Sequence, residues 1–371
     1  CASCLACLVV VLAWAVANNP QWPVIQLFCL TMMRLLPDVA EVQKHGCHIV
    51  SSYAYGNHIG KHILFYAGGL HPPMRAIRRF PDDRTVQLAC AHAIGSQSLF
   101  SQEITDTVGN YGAVEMMIDV MRRWPEDPAM QIGGVHGCFM DLSYVNRARW
   151  AQEGGMELNL AAVRNHRWHA GVQFSSWCAF SSGTQAPNAK RFADLGGIEQ
   201  AIQVMHDHPK SFRVREEVMQ SNRALGRTDA YLRERLAEAG WIEAVAAAMR
   251  DAPLDMHQQS PACDNLKLLA SANETHRDRV ITAGAVPLAL DALRNFPRMY
   301  SPLKWEYDGQ YTVYSDCLRL LVALVTSATA KGVLGEANAS ADILKVMREK
   351  PLDAEIQWLG RQLLEASEGS A

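Results

Sequence analysis

Excess charge of either sign is small in this 371-residue chain, whose formal net charge is −3 and whose isoelectric point is about 6.5. A chain with so little excess charge has no bulk electrostatic attraction to DNA or to anionic membranes. We therefore predict that it has no nucleic-acid partner.

Catalytic signatures are also missing. The sequence contains no G-x-S-x-G elbow, no H-E-x-x-H helix and no Walker loop, and "GNHIGK" (56–61) has neither the spacing nor the Ser or Thr of a phosphate loop. Cys1, Cys4 and Cys7 form two overlapping C-x-x-C pairs, but the nearest histidine is His45, so a zinc site is not indicated. We predict no enzyme activity, no cofactor, no metal and no small-molecule substrate.

Charged residues are absent from positions 1–33, where "CLACLVVVLAWAVA" (4–17) stands out. This stretch is either a signal or membrane segment or the helix of a repeat, and its apolar core is shorter than the roughly 18 residues typical of a membrane span. A membrane location is therefore not favoured. Because the sequence begins with Cys1 rather than methionine, we expect it to be part of a longer protein.

Ten cysteines do not by themselves predict a disulfide framework. Six of them lie in or beside apolar stretches where small thiols pack well, which predicts free thiols and a reducing compartment, the cytoplasm or the nucleus. These six are Cys47, Cys90, Cys138, Cys178, Cys263 and Cys317.

A repeat is the dominant feature of the chain. An arginine followed three residues later by a proline recurs, with successive steps of 44, 44, 128, 44 and 54 residues. The pairs are Arg34/Pro37, Arg78/Pro81, Arg122/Pro125, Arg250/Pro253, Arg294/Pro297 and Arg348/Pro351, and Arg164/Arg167 and His206/Pro209 fill the gap between the third and fourth. A helical period of this length predicts an all-α α-solenoid, in which units bury their apolar faces only by stacking.

Each unit reads as three helices. Apolar residues at −11, −8, −7 and −4 from the proline, such as Val114, Met117, Ile118 and Met121, form one helical stripe. A glycine precedes most stripes and marks a tight turn, and the proline ends the helix. Acids and an apolar-Gln pair such as Val86-Gln87 then open the next helix. A shorter helical stretch leads to the next glycine.

We predict one continuous array with approximate units at 1–37, 38–81, 82–125, 126–167, 168–209, 210–253, 254–297 and 298–351. The last unit carries an insertion near 298–311, and residues 352–371 form a capping helix.

The unit resembles the armadillo repeat, most clearly in "AGAVPLALDALRNFP" (283–297) and "FPDDRTVQLACAHAI" (80–94), and the resemblance covers roughly residues 24–366. It implies a right-handed superhelix of about eight three-helix repeats, whose third helices line a groove that binds extended peptides or partner proteins. The asparagine ladder of the peptide-binding members is absent, since Trp177 is followed four residues later by Ser181. Recognition of basic nuclear-targeting peptides is therefore not indicated.

Groove candidates follow from the same register. His48, His92 and His136 each lie eleven residues beyond a proline, and Cys178 takes that position in the next unit. The histidines either donate to a bound peptide, in which case binding weakens above neutral pH, or are inherited from duplicated units. They are too far apart to share one metal ion.

Two further sets complete the candidates. Arg78, Arg122 and Arg164 belong to a ladder of arginines along one edge, which either supports the helix ends electrostatically or binds an acidic partner. Trp305, Tyr307 and Tyr311 lie in the insertion, which either carries a binding epitope or covers the end of the array.

The function predicted from these features is that of a non-catalytic scaffold or adaptor that binds a protein or peptide along its groove. The alternative is a helical regulatory segment of a larger polypeptide such as a kinase.

Overall fold

The computed structural model describes residues 23–54, 57–98, 101–137, 143–183, 188–296 and 313–368. Within these ranges the regular structure consists of helices and includes no strand. The predicted all-α class is confirmed. The described residues fall into two compact units, Cys1–Gly183 and Thr184–Ala371.

Unit 1 contains eleven described helices, which carry labels in chain order. They are α1 Pro23–Leu35, α2 Ala40–Ala54, α3 His58–Tyr66, α4 His71–Arg79, α5 Arg84–Ser98, α6 Gln102–Asn110, α7 Ala113–Arg123, α8 Pro128–Gly137, α9 Tyr144–Gln152, α10 Gly155–Asn165 and α11 Ala170–Gly183.

Unit 2 contains twelve described helices. They are α12 Asn188–Asp194, α13 Gly197–Asp207, α14 Phe212–Thr228, α15 Ala230–Glu238, α16 Trp241–Asp251, α17 Met256–Ala270, α18 Glu274–Thr282, α19 Ala285–Asn295, α20 Val313–Leu324, α21 Ala328–Glu336, α22 Ala339–Glu349 and α23 Ala354–Glu368.

The helices follow the predicted three-helix pattern. After the pair α1–α2, the described helices form seven sets of a short first helix, a second helix and a third helix, beginning with α3, α4 and α5. The stripe of the second helix is buried as predicted, with Val114, Met117, Ile118 and Met121 at 1% exposure or less. The aspartates after the proline turn cap the third helix. For example, Oδ1 of Asp127 accepts from the backbone N–H groups of Ala129 at 3.0 Å and Met130 at 3.3 Å.

The turn between the first and second helices needs a left-handed residue. The six glycines predicted at this place all have a positive φ, between 73° and 96°. They are Gly68, Gly112, Gly154, Gly196, Gly240 and Gly284. Asn338 takes the position in the last set at a φ of 50°, which the sequence reading missed, although asparagine tolerates this region better than most residues.

A buried glutamine joins the second helix to the third. Its side-chain Nε2 donates to the carbonyls ten and seven residues upstream, which are orphan acceptors at the end of the second helix. The bonds run from Gln43 to Met33 and Leu36, from Gln87 to Ile77 and Phe80, from Gln131 to Met121 and Trp124, from Gln173 to Val163 and His166, from Gln259 to Met249 and Ala252, and from Gln357 to Met347 and Lys350. We call this contact the glutamine clamp.

Arg215 takes the clamp position in the set α12–α14. It is 1% exposed, and its Nη1 donates to the carbonyl of Pro209 at 2.8 Å while Nη2 lies 3.3 Å from Asp251. Burial lowers its pKa despite the nearby Asp251 carboxylate. The buried guanidinium charge of Arg215 is therefore tolerated between the second and third helices, because a backbone carbonyl and a carboxylate both accept hydrogen bonds from it.

Third helices pack on one another in chain order within each unit. In unit 1, α2 packs on α5, α5 on α8, and α8 on α11; in unit 2, α14 packs on α17, α17 on α20, and α20 on α23. Successive repeats thus bury each other's apolar faces, as an α-solenoid requires. The predicted continuity of one array across both units stays a prediction.

The expectation that Cys47 and Cys90 are free thiols is wrong. They form a disulfide between α2 and α5, with Cα atoms 4.9 Å apart, and both residues are fully buried. Equivalent faces of neighbouring third helices meet here, which brings residues 43 positions apart in the sequence into bonding range. The spacing of the cysteines in the sequence could not distinguish two buried free thiols from one disulfide bond.

The glutamine clamp predicts a stability change. Replacing the buried Gln131 by Ala removes two side-chain hydrogen bonds and should lower the free energy of unfolding by about 1–3 kcal/mol. Urea unfolding followed by circular dichroism measures the change. Gln203→Ala is the matched control, because Gln203 is exposed and should cost less than about 0.5 kcal/mol. Equal effects of the two variants would contradict the clamp.

The disulfide gives a second prediction. A bond that closes a loop of this length typically contributes about 2–4 kcal/mol, so dithiothreitol should lower the melting temperature of the wild-type chain. The Cys47→Ala, Cys90→Ala double variant should already melt at the lower temperature and should not respond further to the reductant. A wild-type melting temperature unchanged by full reduction would refute a stabilising bond.

Candidate functional site

The candidate site is the free face of the third-helix layer, on the side that does not pack against the second helices. We call it the third-helix face and define it by the residues seven and eleven positions beyond each turn proline, or beyond Arg167 where arginine replaces the proline. Because these residues lie four apart on one helix, they point in nearly the same direction.

In unit 1 the seventh position of the third-helix face is mainly apolar. Leu88, Ile132 and Phe174 occupy it on α5, α8 and α11, and each is half-buried, whereas α2 carries Lys44 there. At the eleventh position His48 is exposed, whereas His92 and Cys178 are half-buried. His136 lies on α8, but its side chain falls outside the described residues.

Small residues let neighbouring third helices approach closely at this face. A Cβ at Gly133 would lie 3.2 Å from Cδ1 of Leu88 and 3.4 Å from Nε2 of His92. At Gly171 it would lie 3.0 Å from Cδ1 of Ile132. Leu88 and His92 therefore pack over Gly133 of the next third helix, and Ile132 packs over Gly171.

His48 carries its charge only under acidic conditions. Although its side chain reaches solvent, partial burial lowers its pKa, and the neighbouring His45 and Lys44 lower it further. A contact that needs a charged His48 is therefore lost as the pH rises through a value below the ordinary 6.5 of histidine. At neutral pH His48 contributes a neutral imidazole with one donor and one acceptor.

On α14 and α17 of unit 2 the same face is polar and charged. Glu216 and Ser260 occupy the seventh position, and Gln220 and Asp264 occupy the eleventh, although Ser260 is buried. On α23 the seventh position holds Trp358, which is 57% exposed. Asp264 lies 2.9 Å from Arg223 and 3.1 Å from Arg227, both on the neighbouring helix. The sequence reading singled out none of these residues, although the proline register that located His92 also locates them.

The arginine ladder has a structural use in both units. Four of its members donate to the backbone carbonyl that ends the first helix of the next set, just before the residue with positive φ. The pairs are Arg34 with Ala67 at 2.6 Å, Arg122 with Glu153, Arg250 with Ala283 at 3.0 Å, and Arg294 with Ala337 at 3.3 Å. Each bond satisfies an orphan carbonyl and connects neighbouring repeats.

Arg78 and Arg164, the other two edge candidates, are also exposed. Arg78 lines a cleft of about 370 Å³ together with Glu115, Asp119 and Arg123. An acidic partner along this edge stays a prediction, and two acids in the cleft do not favour it.

The insertion candidates Trp305, Tyr307 and Tyr311 lie outside the described residues. Across the part of the chain that the structure describes, no group of His, Cys, Asp and Glu side chains is arranged to hold a metal ion. Among the same residues, no helix combines the length and the apolar content of a membrane span.

Comparison with known proteins shows the fold. No family model matches the sequence, and no curated protein matches it. One engineered protein solved by the Northeast Structural Genomics Consortium gives a TM-score of 0.73 at 18% identity, over 91% of this chain and 78% of its own. A second gives 0.56 at 16% identity, over 70% and 97%.

A third similar structure comes from a study of a phosphorylation switch that controls the interaction between cadherin and beta-catenin. Its TM-score is 0.68 at 15% identity, and the match covers 92% of this chain and 64% of that one. At such identities the likeness shows a shared helical repeat fold and nothing further.

The arginine contacts predict unequal costs along the ladder. Arg250→Ala removes the bond to the Ala283 carbonyl and should lower the free energy of unfolding by about 0.5–1.5 kcal/mol. Arg78→Ala is the matched control and should change stability by less than about 0.5 kcal/mol. Thermal or urea unfolding of both variants measures this. A larger loss at Arg78 than at Arg250 would contradict the assigned use of the ladder.

Proposed function

We propose that this chain is an armadillo-type scaffold that acts without catalysis and binds a partner protein or an extended peptide on its third-helix face. The observation that carries the proposal is the half-buried row Leu88, Ile132 and Phe174 in unit 1. The packing of the repeats buries the other side of α5, α8 and α11, so this row is available for contact.

The chemistry of the row favours a protein ligand. Apolar side chains at the repeat spacing, with the neutral imidazole of His48, can receive the side chains and backbone groups of an extended segment, whereas they offer little to a charged small molecule. The likeness to a chain studied for the cadherin and beta-catenin interaction supports this choice of ligand class, as a fold-level analogy.

A cytoplasmic or nuclear location stays a prediction. The Cys47–Cys90 disulfide argues against a strongly reducing compartment, because structural disulfides are rare there.

Partner capture tests the proposal. The chain is used as bait in an extract of its source cell, and bound proteins are identified by mass spectrometry for the wild type and for His92→Asp and Cys178→Arg. Both substitutions place a charge on the unit 1 third-helix face, so each should weaken capture of the same partner by about tenfold or more.

Tyr144→Ser is the matched control, because Tyr144 is 65% exposed on the first helix α9, away from this face. It should capture the partner as the wild type does. Circular dichroism checks that all three variants are folded. Capture that survives both charged substitutions would place binding elsewhere and refute the proposal.

A further inference from the structure

Three cations surround one carboxylate on the third-helix face of unit 2. Asp264 on α17 lies 2.9 Å from Nη1 of Arg223, 3.1 Å from Nη2 of Arg227 and 3.9 Å from Nζ of Lys267. Arg223 also donates to Oε1 of Gln220. We call Arg223, Arg227 and Lys267 the basic cluster. Together with Asp264 it carries two excess positive charges in a chain whose net charge is −3.

The cations are more exposed to solvent than the acid is. The side chains of Arg223, Arg227 and Lys267 are 28%, 57% and 37% exposed, whereas that of Asp264 is 13% exposed. Asp264 therefore holds the three cations from below while their outer sides stay accessible. Arginine has five N–H donors and lysine three, so the contacts to Asp264 leave donors for a second anion.

The repeat fold does not require this cluster. Arg223 and Lys267 lie fourteen residues beyond Pro209 and Pro253, and the same position in unit 1 holds Ser51 and Gly95. Both of those repeats stack without a charge there. The cations are thus a feature of this part of the chain.

We propose that the basic cluster binds carboxylate side chains of an acidic, extended segment of a partner protein. This inference rests on the proposed function and names the chemistry of the partner on unit 2. Asp264 already shows the geometry in which the two guanidinium groups donate to a carboxylate. A glutamate or aspartate of the partner would receive the remaining donors from the solvent side, with the electrostatic complementarity that selects partners.

A protein segment fits better than a nucleic acid. Glu216 and Glu217 lie on the same helix as Arg223, two turns before it, and would repel a continuous phosphate backbone. A protein segment can place its acids opposite the cluster alone and present neutral residues to Glu216. The net charge of −3 gives no general attraction for polyanions, so binding of an acidic segment has to come from contacts at the basic cluster itself.

Fluorescence anisotropy on the full chain tests the inference with two probes. One is a fluorescein-labelled peptide of alternating glutamate and serine, and the other is a single-stranded oligothymidine with the same label. The wild type should bind the peptide, and binding should weaken as salt rises from about 0.05 M to about 0.5 M.

The Arg227→Gln, Lys267→Gln double variant should bind the peptide at least tenfold more weakly than the wild type. Asp264→Asn should bind it several-fold more tightly, because the internal carboxylate that competes for the cations is gone. Lys331→Gln on the first helix α21 is the control for loss of a positive charge and should leave binding unchanged. Circular dichroism establishes that the variants are folded.

Peptide affinity that is the same in the double variant and the wild type would overturn the inference, and so would tighter binding of the oligonucleotide. If the glutamate peptide does not bind while His92→Asp still weakens partner capture, the proposal for the basic cluster is wrong and the proposed scaffold function is supported. If His92→Asp captures the partner as the wild type does, but the double variant binds the peptide more weakly, the proposal for the unit 1 face is wrong and the proposal for the basic cluster is supported.

Discussion

The structure depends on the hydrogen bonds that end the second helix of each repeat. The last carbonyls of that helix lack partners within it, and in all but one of the repeats, where Arg167 takes the place, a proline two residues later prevents the helix from continuing. A single glutamine amide reaches back from the third helix and satisfies two of these carbonyls, as Gln131 does for Met121 and Trp124. The amide therefore fixes the angle at which the third helix leaves the turn, and stacking of repeats follows from that angle.

This constraint also explains why one face remains for binding. The third helix directs its glutamine and its small apolar residues toward the second helix and the neighbouring third helices. The residues on its opposite side take no part in the glutamine clamp. The clamp is present beside Ile132 in unit 1 and, as Gln259, beside Ser260 in unit 2, although the residue at this position of the face differs. The clamp is therefore compatible with different residues on the face.

The repeat, the turns and the buried stripes could be predicted from sequence because each is a local pattern with one physical cause. Position 112 has a positive φ and therefore favours glycine, and Met117 is buried because it lies on the apolar stripe of its helix. Contacts between repeats were harder to predict. The apolar-Gln pair was visible, but its bond to carbonyls seven and ten residues upstream depends on how two helices cross. The Cys47–Cys90 bond likewise depends on a three-dimensional meeting of residues 43 positions apart.

The candidate site was predicted in part, for the same reason. The proline register located His92, but it could not show that Leu88 and Gly133 surround the ring, since they come from two helices. The register also could not show that Arg223, Arg227 and Lys267 converge on Asp264. A repeat protein uses one set of positions for stacking and another for recognition, and only the first set has to keep its period. The third-helix face can therefore carry Leu88 in one repeat and Glu216 in another, at the same position of the period.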